Sequence, residues 1–181
     1  MKIYFTRHGE TQWNALNKIC GLTDIDLTEK GISQARELAE KLEDKGIELM
    51  IVSPMKRAQA TAKIVAEKCN IPIITDERLI EQNYGIYEGK DRKCEGFLNN
   101  KRNFAYKYPQ GESMMQVAAR VYSLIDEIKE KYAEKTVLCV CHGGVCRVAN
   151  TYFRDMTNDE YFHYSLENCG LEEYELYTVT L

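Results

Sequence analysis

The chain has 181 residues, 44% of them apolar and 29% charged, with a formal net charge of −4. That length suits a single domain over 1–181 with a substantial core, and the composition excludes a disordered or fibrous chain. The charge gives no general reason to bind nucleic acid or an anionic membrane, and no apolar stretch approaches the ~18 residues of a membrane span or follows a basic leader, so a cytoplasmic protein is expected.

Residues 2–6 read as a β-branched and aromatic strand, ending in Thr6-Arg7-His8-Gly9. Helical periodicity follows over 28–45, with Ile32, Ala35, Leu38, Ala39 and Leu42 on one face and Gly46 beyond the end. A second strand is expected at 47–52, then Ser53 as an N-cap with Pro54 at the first position of a helix running to Cys69. Residues 71–75 form a third strand, and 76–110 carry little regular signal. A long amphipathic helix spans 112–132, with Val117, Val121, Leu124 and Ile128 at three- and four-residue spacings. The apolar run 136–141 suits the centre of a parallel sheet. A helix over 144–154, a short one over 158–164 and a last strand at 170–179 complete the pattern. Alternating strands and helices predict an α/β fold, a mostly parallel central sheet with helices on both faces.

Seven cysteines, an odd count, lie at 20, 69, 94, 139, 141, 146 and 169. Several fall in apolar stretches, where a reduced thiol behaves as a small hydrophobe. Cys139, Cys141, His142 and Cys146 invite a zinc reading. No second CxxC or His pair completes a site of familiar spacing, so no metal is expected.

In open α/β sheets ligands sit at the C-terminal ends of the strands, where helix N-termini also point. Three strands of this chain end in polar groups: Arg7-His8-Gly9, Ser53-Pro54 with Arg57 one turn on, and His142-Gly143-Gly144. One such histidine is unremarkable in a loop. Two of only three histidines sharing one sheet edge with two arginines point to phosphoryl chemistry. The negative charge of a phosphoryl group calls for fixed donors, and the planar fork of arginine matches it. His8 is expected to attack, with Gly9 giving the ligand close access, and His142 to stabilise the transferring group; the residues alone allow these roles to be exchanged. A leaving alkoxide needs a proton, for which Asp76, Glu77, Glu81 and Glu88 are candidates. No metal or other cofactor is required, and no Asp-rich cluster is present to hold Mg²⁺.

The ordered motifs Arg-His-Gly-Glu-Thr-Gln-Trp-Asn (7–14), Cys-Gly-Leu-Thr-Asp-Ile-Asp-Leu-Thr-Glu-Lys-Gly (20–31), Ser-Pro-Met-Lys-Arg-Ala-Gln-Ala-Thr-Ala (53–62), Arg-Leu-Ile-Glu-Gln-Asn-Tyr-Gly-Ile-Tyr-Glu-Gly (78–89), Gly-Glu-Ser (111–113) and His-Gly-Gly-Val-Cys-Arg (142–147) resemble the histidine phosphatase, or phosphoglycerate mutase-like, superfamily over nearly the whole chain. The resemblance implies a three-layer αβα sandwich and a phosphohistidine on His8, in a pocket of Arg7, Arg57 and His142. It makes Glu81 the proton donor and acceptor, and implies that Asn14 bonds the phosphate and the Cys20-Gly21 turn lends backbone donors to substrate. Plainer readings are a helix-entry cap for Asn14 and a simple turn for Gly21.

The superfamily divides into mutases and phosphatases. Mutases carry a longer insertion after the acid with an Arg-Arg pair, and His-Gly-Asn where this chain has His142-Gly143-Gly144; here 29 residues separate Glu81 from Gly111, without such a pair. Hydrolysis of a small phosphorylated metabolite is therefore expected, with mutase and protein phosphohistidine phosphatase as the alternatives. A phosphate-sensing module with a dead site fits poorly, because both histidines, both arginines and the acid are present. Residues 82–110 are read as a lid. Within it, 90–107 hold six basic side chains, Arg92 among them, against two acidic ones, so the remainder sums to −8. Such a segment could be a solvated loop or could draw a polyanion toward the pocket.

Overall fold

The computed structural model describes residues 1–176, and the end of the expected strand 170–179 lies outside them. In chain order the elements are β1 (Lys2–Arg7), α1 (Gln12–Ala15), α2 (Glu29–Leu42), β2 (Leu49–Val52), α3 (Lys56–Cys69), β3 (Ile73–Thr75), α4 (Glu95–Lys101), α5 (Met114–Lys131), β4 (Val137–Cys141), α6 (Gly143–Phe153), α7 (Asn158–His163) and β5 (Leu171–Glu175). The sheet order is β3-β2-β4-β1-β5, parallel except for β5, which runs antiparallel to β1.

Period-2 alternation sorts the strand side chains onto two faces. Ile3, Phe5, Ile51, Val137 and Cys139 pack with Val121, Leu124, Ile125 and Ile128 of α5 and Val145, Val148 and Ala149 of α6. Tyr4, Met50, Val52, Leu138 and Val140 pack on the other face with Leu38 and Leu42 of α2 and Ala58, Ala62 and Val65 of α3. The result is a three-layer αβα sandwich whose central strand β4 is buried throughout. Cys139, Cys141 and Cys146 belong to the apolar core on the α5–α6 side.

Two local readings are corrected. Helix α3 starts at Lys56 behind Met55, which makes no side-chain cap. Asp24 supplies the cap from afar, accepting the Lys56 N–H at 3.0 Å. The Ser53 hydroxyl accepts the Met55 N–H at 3.4 Å and keeps capacity for a further partner. Within 76–110 the sequence showed little periodicity: a short 3₁₀ turn at Glu77–Leu79 sends Leu79 into the core on the α5–α6 side, and a second at Gly85–Tyr87, with α4, encloses a small separate core of Ile19, Tyr84, Phe97 and Tyr108.

Candidate active site

The C-terminal ends of β1, β2 and β4 bring His8, Ser53 and His142 together. His8 Nδ1–H donates to the Gly9 carbonyl at 2.7 Å, which fixes the proton there. The Nε2 lone pair faces Arg57, whose Nε–H lies 3.2 Å away. That N–H is shared with His142 Nδ1, also at 3.2 Å. His142 Nδ1 therefore accepts, so its Nε2–H donates to Ser53 Oγ at 2.7 Å. Burial, with Arg57 and Arg7 nearby, holds His8 well below the usual imidazole range. Burial, Arg57 and His8 do the same to His142. Both rings are neutral near pH 7, as a nucleophilic imidazole must be.

Arg57 is fully buried and fixed at its far end, Nη1 to Thr23 O at 2.9 Å and Nη2 to Gly21 O at 2.7 Å. The carboxylate of Glu88 holds this turn, accepting from Gly21 N (3.1 Å), Leu22 N (3.0 Å) and Thr23 Oγ1 (2.9 Å). Arg7 donates through Nη1 to Leu166 O at 2.9 Å, while its buried Nε has no acceptor among the described residues. Burial, then the neighbouring Arg92, lowers its pKa from the ordinary guanidinium value. An orphaned guanidinium N–H in a cavity wall is a donor available to an anion.

Glu81 accepts from its neighbour Gln82 N at 2.8 Å and from Gly144 N, at the start of α6, at 3.0 Å. Gly144 makes room for it, since a Cβ there would stand 2.5 Å from Glu81 Oε1 and 2.8 Å from the Tyr84 hydroxyl. The rival carboxylates are elsewhere: Asp76 pairs with Arg78 at 2.7 Å, Glu88 holds the turn, and Glu77 lies off the cavity.

One cavity of about 140 Å³ is lined by Arg7, His8, Asn14, Cys20, Glu81, Arg92 and Gly143 from the expected set. Arg57 and His142 stand behind it, fully buried. Asn14 is the third residue of a capping box led by Thr11; its Oδ1 accepts from Thr11 N (3.1 Å) and Asn168 Nδ2 (3.2 Å), which leaves its amide nitrogen for a ligand. Arg92 is anchored by Nε to Lys18 O at 3.0 Å. Gly9 and Gly21 do not line the cavity. Gly9 is glycine for another reason, because a Cβ there would strike the Gly31 carbonyl of α2. Gly21 spends its N–H on Glu88 and works through its carbonyl on Arg57.

Sequence reasoning missed Ser53 and Asn168 as site residues. Asn168 donates to His8 O at 2.9 Å. It escaped because β5 is antiparallel and so delivers its N-terminal end to the site, where only strand C-termini were searched. A switch of strand direction at the sheet edge was the missing signal. Among the described residues no three His, Cys, Asp or Glu side chains converge as metal ligands, and no helix is long and apolar enough to cross a membrane.

This fold and site define an enzyme of phosphoryl chemistry, phosphatase or mutase. The profile of the histidine phosphatase superfamily (branch 1) matches residues 3–179, and the chain belongs to that superfamily. Among curated relatives, a protein of Yersinia pestis (strain Pestoides F) called "Probable phosphoglycerate mutase GpmB" is 36% identical over 151 residues, 79% of this chain and 70% of its own length. Among solved structures, Bacillus stearothermophilus YhfR is 32% identical with a TM-score of 0.86, covering 97% of this chain and 91% of its own. A mycobacterial glucosyl-3-phosphoglycerate phosphatase in complex with VO3 is 26% identical with a TM-score of 0.85, covering 95% and 90%.

Proposed function

We propose that this chain is a metal-independent phosphomonoester hydrolase that cleaves a small phosphorylated metabolite through a phosphohistidine on His8. The observation that carries the reading is the His8 ring, neutral, with its proton tied to Gly9 O and its Nε2 lone pair beside Arg57. In the first step Nε2 forms a bond to phosphorus while the P–O bond to the leaving group breaks. Protonated Glu81 gives its proton to the departing oxygen. In the second step the Glu81 carboxylate takes a proton from water, whose oxygen attacks phosphorus and releases His8 and phosphate. Arg7, Arg57 and the Asn14 amide receive the non-bridging oxygens. The negative charge of the bound phosphoryl group favours uptake of a proton from solvent at His142 Nδ1, turning an acceptor into a donor.

A cavity of about 140 Å³ favours a small ester over a phosphoprotein, since ligand pockets usually run to ~300–1,000 Å³. The curated relative's name favours a second reading, in which the same intermediate hands its phosphoryl group to a phosphoglycerate. Gly144, where mutases resembling this chain carry Asn, supports hydrolysis.

The test is release of p-nitrophenol from p-nitrophenyl phosphate. The wild type turns it over with or without EDTA, and His8→Ala does not. Bisphosphoglycerate-dependent interconversion of phosphoglycerates faster than hydrolysis would overturn hydrolysis in favour of the mutase.

A further inference from the structure

Two cations in the cavity wall take no part in the phosphoryl chemistry. Arg147 projects from α6 and Lys101 ends α4, and both line the cavity that holds His8 and Glu81. Among the described residues neither side chain forms a hydrogen bond or an ion pair, and Arg147 Nε is buried without an acceptor. Their close neighbours are rings: Arg147 stands 5.4 Å from the centre of Tyr161, and Lys101 Nζ 4.7 Å from Phe162.

The nearby Arg120 shows what a structural arginine looks like in this chain. It donates to the carbonyls of Arg78, Ile80 and Glu81 and to the Glu112 carboxylate. Arg147 has none of these. Glu81 is the one carboxylate in the cavity wall, and both its oxygens already accept backbone N–H groups. Burial, together with Arg147, Arg92 and Arg102, pushes Lys101 down to about 7. Burial opposes the Arg147 charge but Tyr161, Tyr84 and Glu81 outweigh it, so Arg147 stays charged with a buried N–H unused, while Lys101 is crowded by arginines; an anion entering the cavity would serve both.

We infer that Arg147 and Lys101 form a subsite for a second anionic group, a carboxylate or a further phosphate, on the molecule whose phosphoryl group is taken by His8. The assignment rests on the phosphoryl-transfer reading and narrows its substrate to a short phosphomonoester with acid at its other end. The guanidinium fork pairs with either oxyanion, and the ammonium adds a point charge. Because both subsites share a cavity of about 140 Å³, few bonds separate the two anionic groups.

Binding separates this claim from the chemistry. Titration calorimetry on the full-length His8→Ala protein compares glycerol 3-phosphate with 3-phosphoglycerate, which replaces a hydroxymethyl group by carboxylate, and with glycerol 1,3-bisphosphate. At least one doubly anionic ligand is expected to bind about tenfold or more tightly, as charge-assisted contacts do. The better of the two identifies the group. Adding Arg147→Met or Lys101→Met brings the ratio toward one, and Arg147→Lys restores part of it. Equal affinity for all three ligands overturns the subsite even if p-nitrophenyl phosphate is hydrolysed. Failure to hydrolyse that ester overturns the phosphatase reading while leaving the binding comparison measurable. The His8→Ala comparison needs no change at Arg147, so a poorly folding Arg147→Met leaves it decisive, and Lys101→Met, on the short helix α4, tests the same ratio independently.

Discussion

At the scale of single residues, the candidate site is a set of donors whose positions are fixed by groups set back from the cavity. Glu88 is the clearest. It grips three donors of the 21–23 turn, and two carbonyls of that turn hold the guanidinium of Arg57. Glu88→Ala should therefore lower kcat/KM on p-nitrophenyl phosphate by about 10–100-fold, the range of a misplaced transition-state donor, with the circular dichroism spectrum unchanged. Unaltered kcat/KM would mean that the turn holds itself. Glu81 supports a sharper test. Nitrophenolate leaves readily without a proton, so Glu81→Gln should spare the first step and slow water attack. A burst of about one nitrophenolate per active site, then slow release, is expected in stopped flow. Equal slowing of both phases would remove Glu81 from the second step. Lys101 adds a pH dependence. With burial and Arg147, Arg92 and Arg102 lowering it to about 7, it loses its proton as pH rises past neutrality. KM for a doubly anionic substrate should then climb above pH 7, while that for p-nitrophenyl phosphate should not follow it.

At the scale of elements, the sandwich was legible because each strand alternates or runs apolar and each long helix carries one apolar stripe. Strand ends also brought His8, Arg57 and His142 to one place, since β1, β2 and β4 are parallel and deliver their C-termini to one edge. Asn168 was not legible because that rule fails for an antiparallel edge strand. Glu88 was weighed only as a candidate acid, and the setting of Arg147 was not legible, because their surroundings are distant in sequence: one holds a turn 65 to 67 residues away, the other faces a cavity closed by α4. Segment 82–110 hid its structure for a related reason. Its small core is built from Tyr84, Phe97 and Tyr108 rings in edge and stacked contacts at 5.2 to 5.5 Å, spaced by no helical or strand period. This satellite core lies apart from the two sheet cores, so its loss should be local. Phe97→Ala is expected to speed proteolysis within 90–107 and to raise KM. Val121→Ala, in the main core, should instead lower the global unfolding midpoint, by ~1–3 kcal/mol of stability.

At the scale of the whole molecule, the two neutral histidines tie the candidate site to stability. His8 and His142 are held well below the ordinary imidazole value by burial first and by arginines next. In the unfolded chain both regain a pKa near 6.5. Below that pH the unfolded state binds protons that the folded state refuses, so stability rises with pH through this range and is fully present above about 6.5. As pH falls below it, each ring costs up to about 1.4 kcal/mol per pH unit until its own folded-state value is reached. Urea midpoints should therefore decline between about pH 6.5 and 5, before most carboxylates titrate, with a slope approaching two protons. A flat midpoint across that window would show that the rings protonate inside the fold. The arginines that depress both rings also prescribe a remedy. An oxyanion between Arg7, Arg57 and His8 offsets the guanidinium charge and makes a protonated His142 favourable. Added orthophosphate should therefore flatten the acid slope, beyond the uniform shift that binding alone gives, and chloride at equal ionic strength should not. The effect requires both histidines to share one anion, and His142→Gln should remove about half of the proton linkage together with most of the phosphate response.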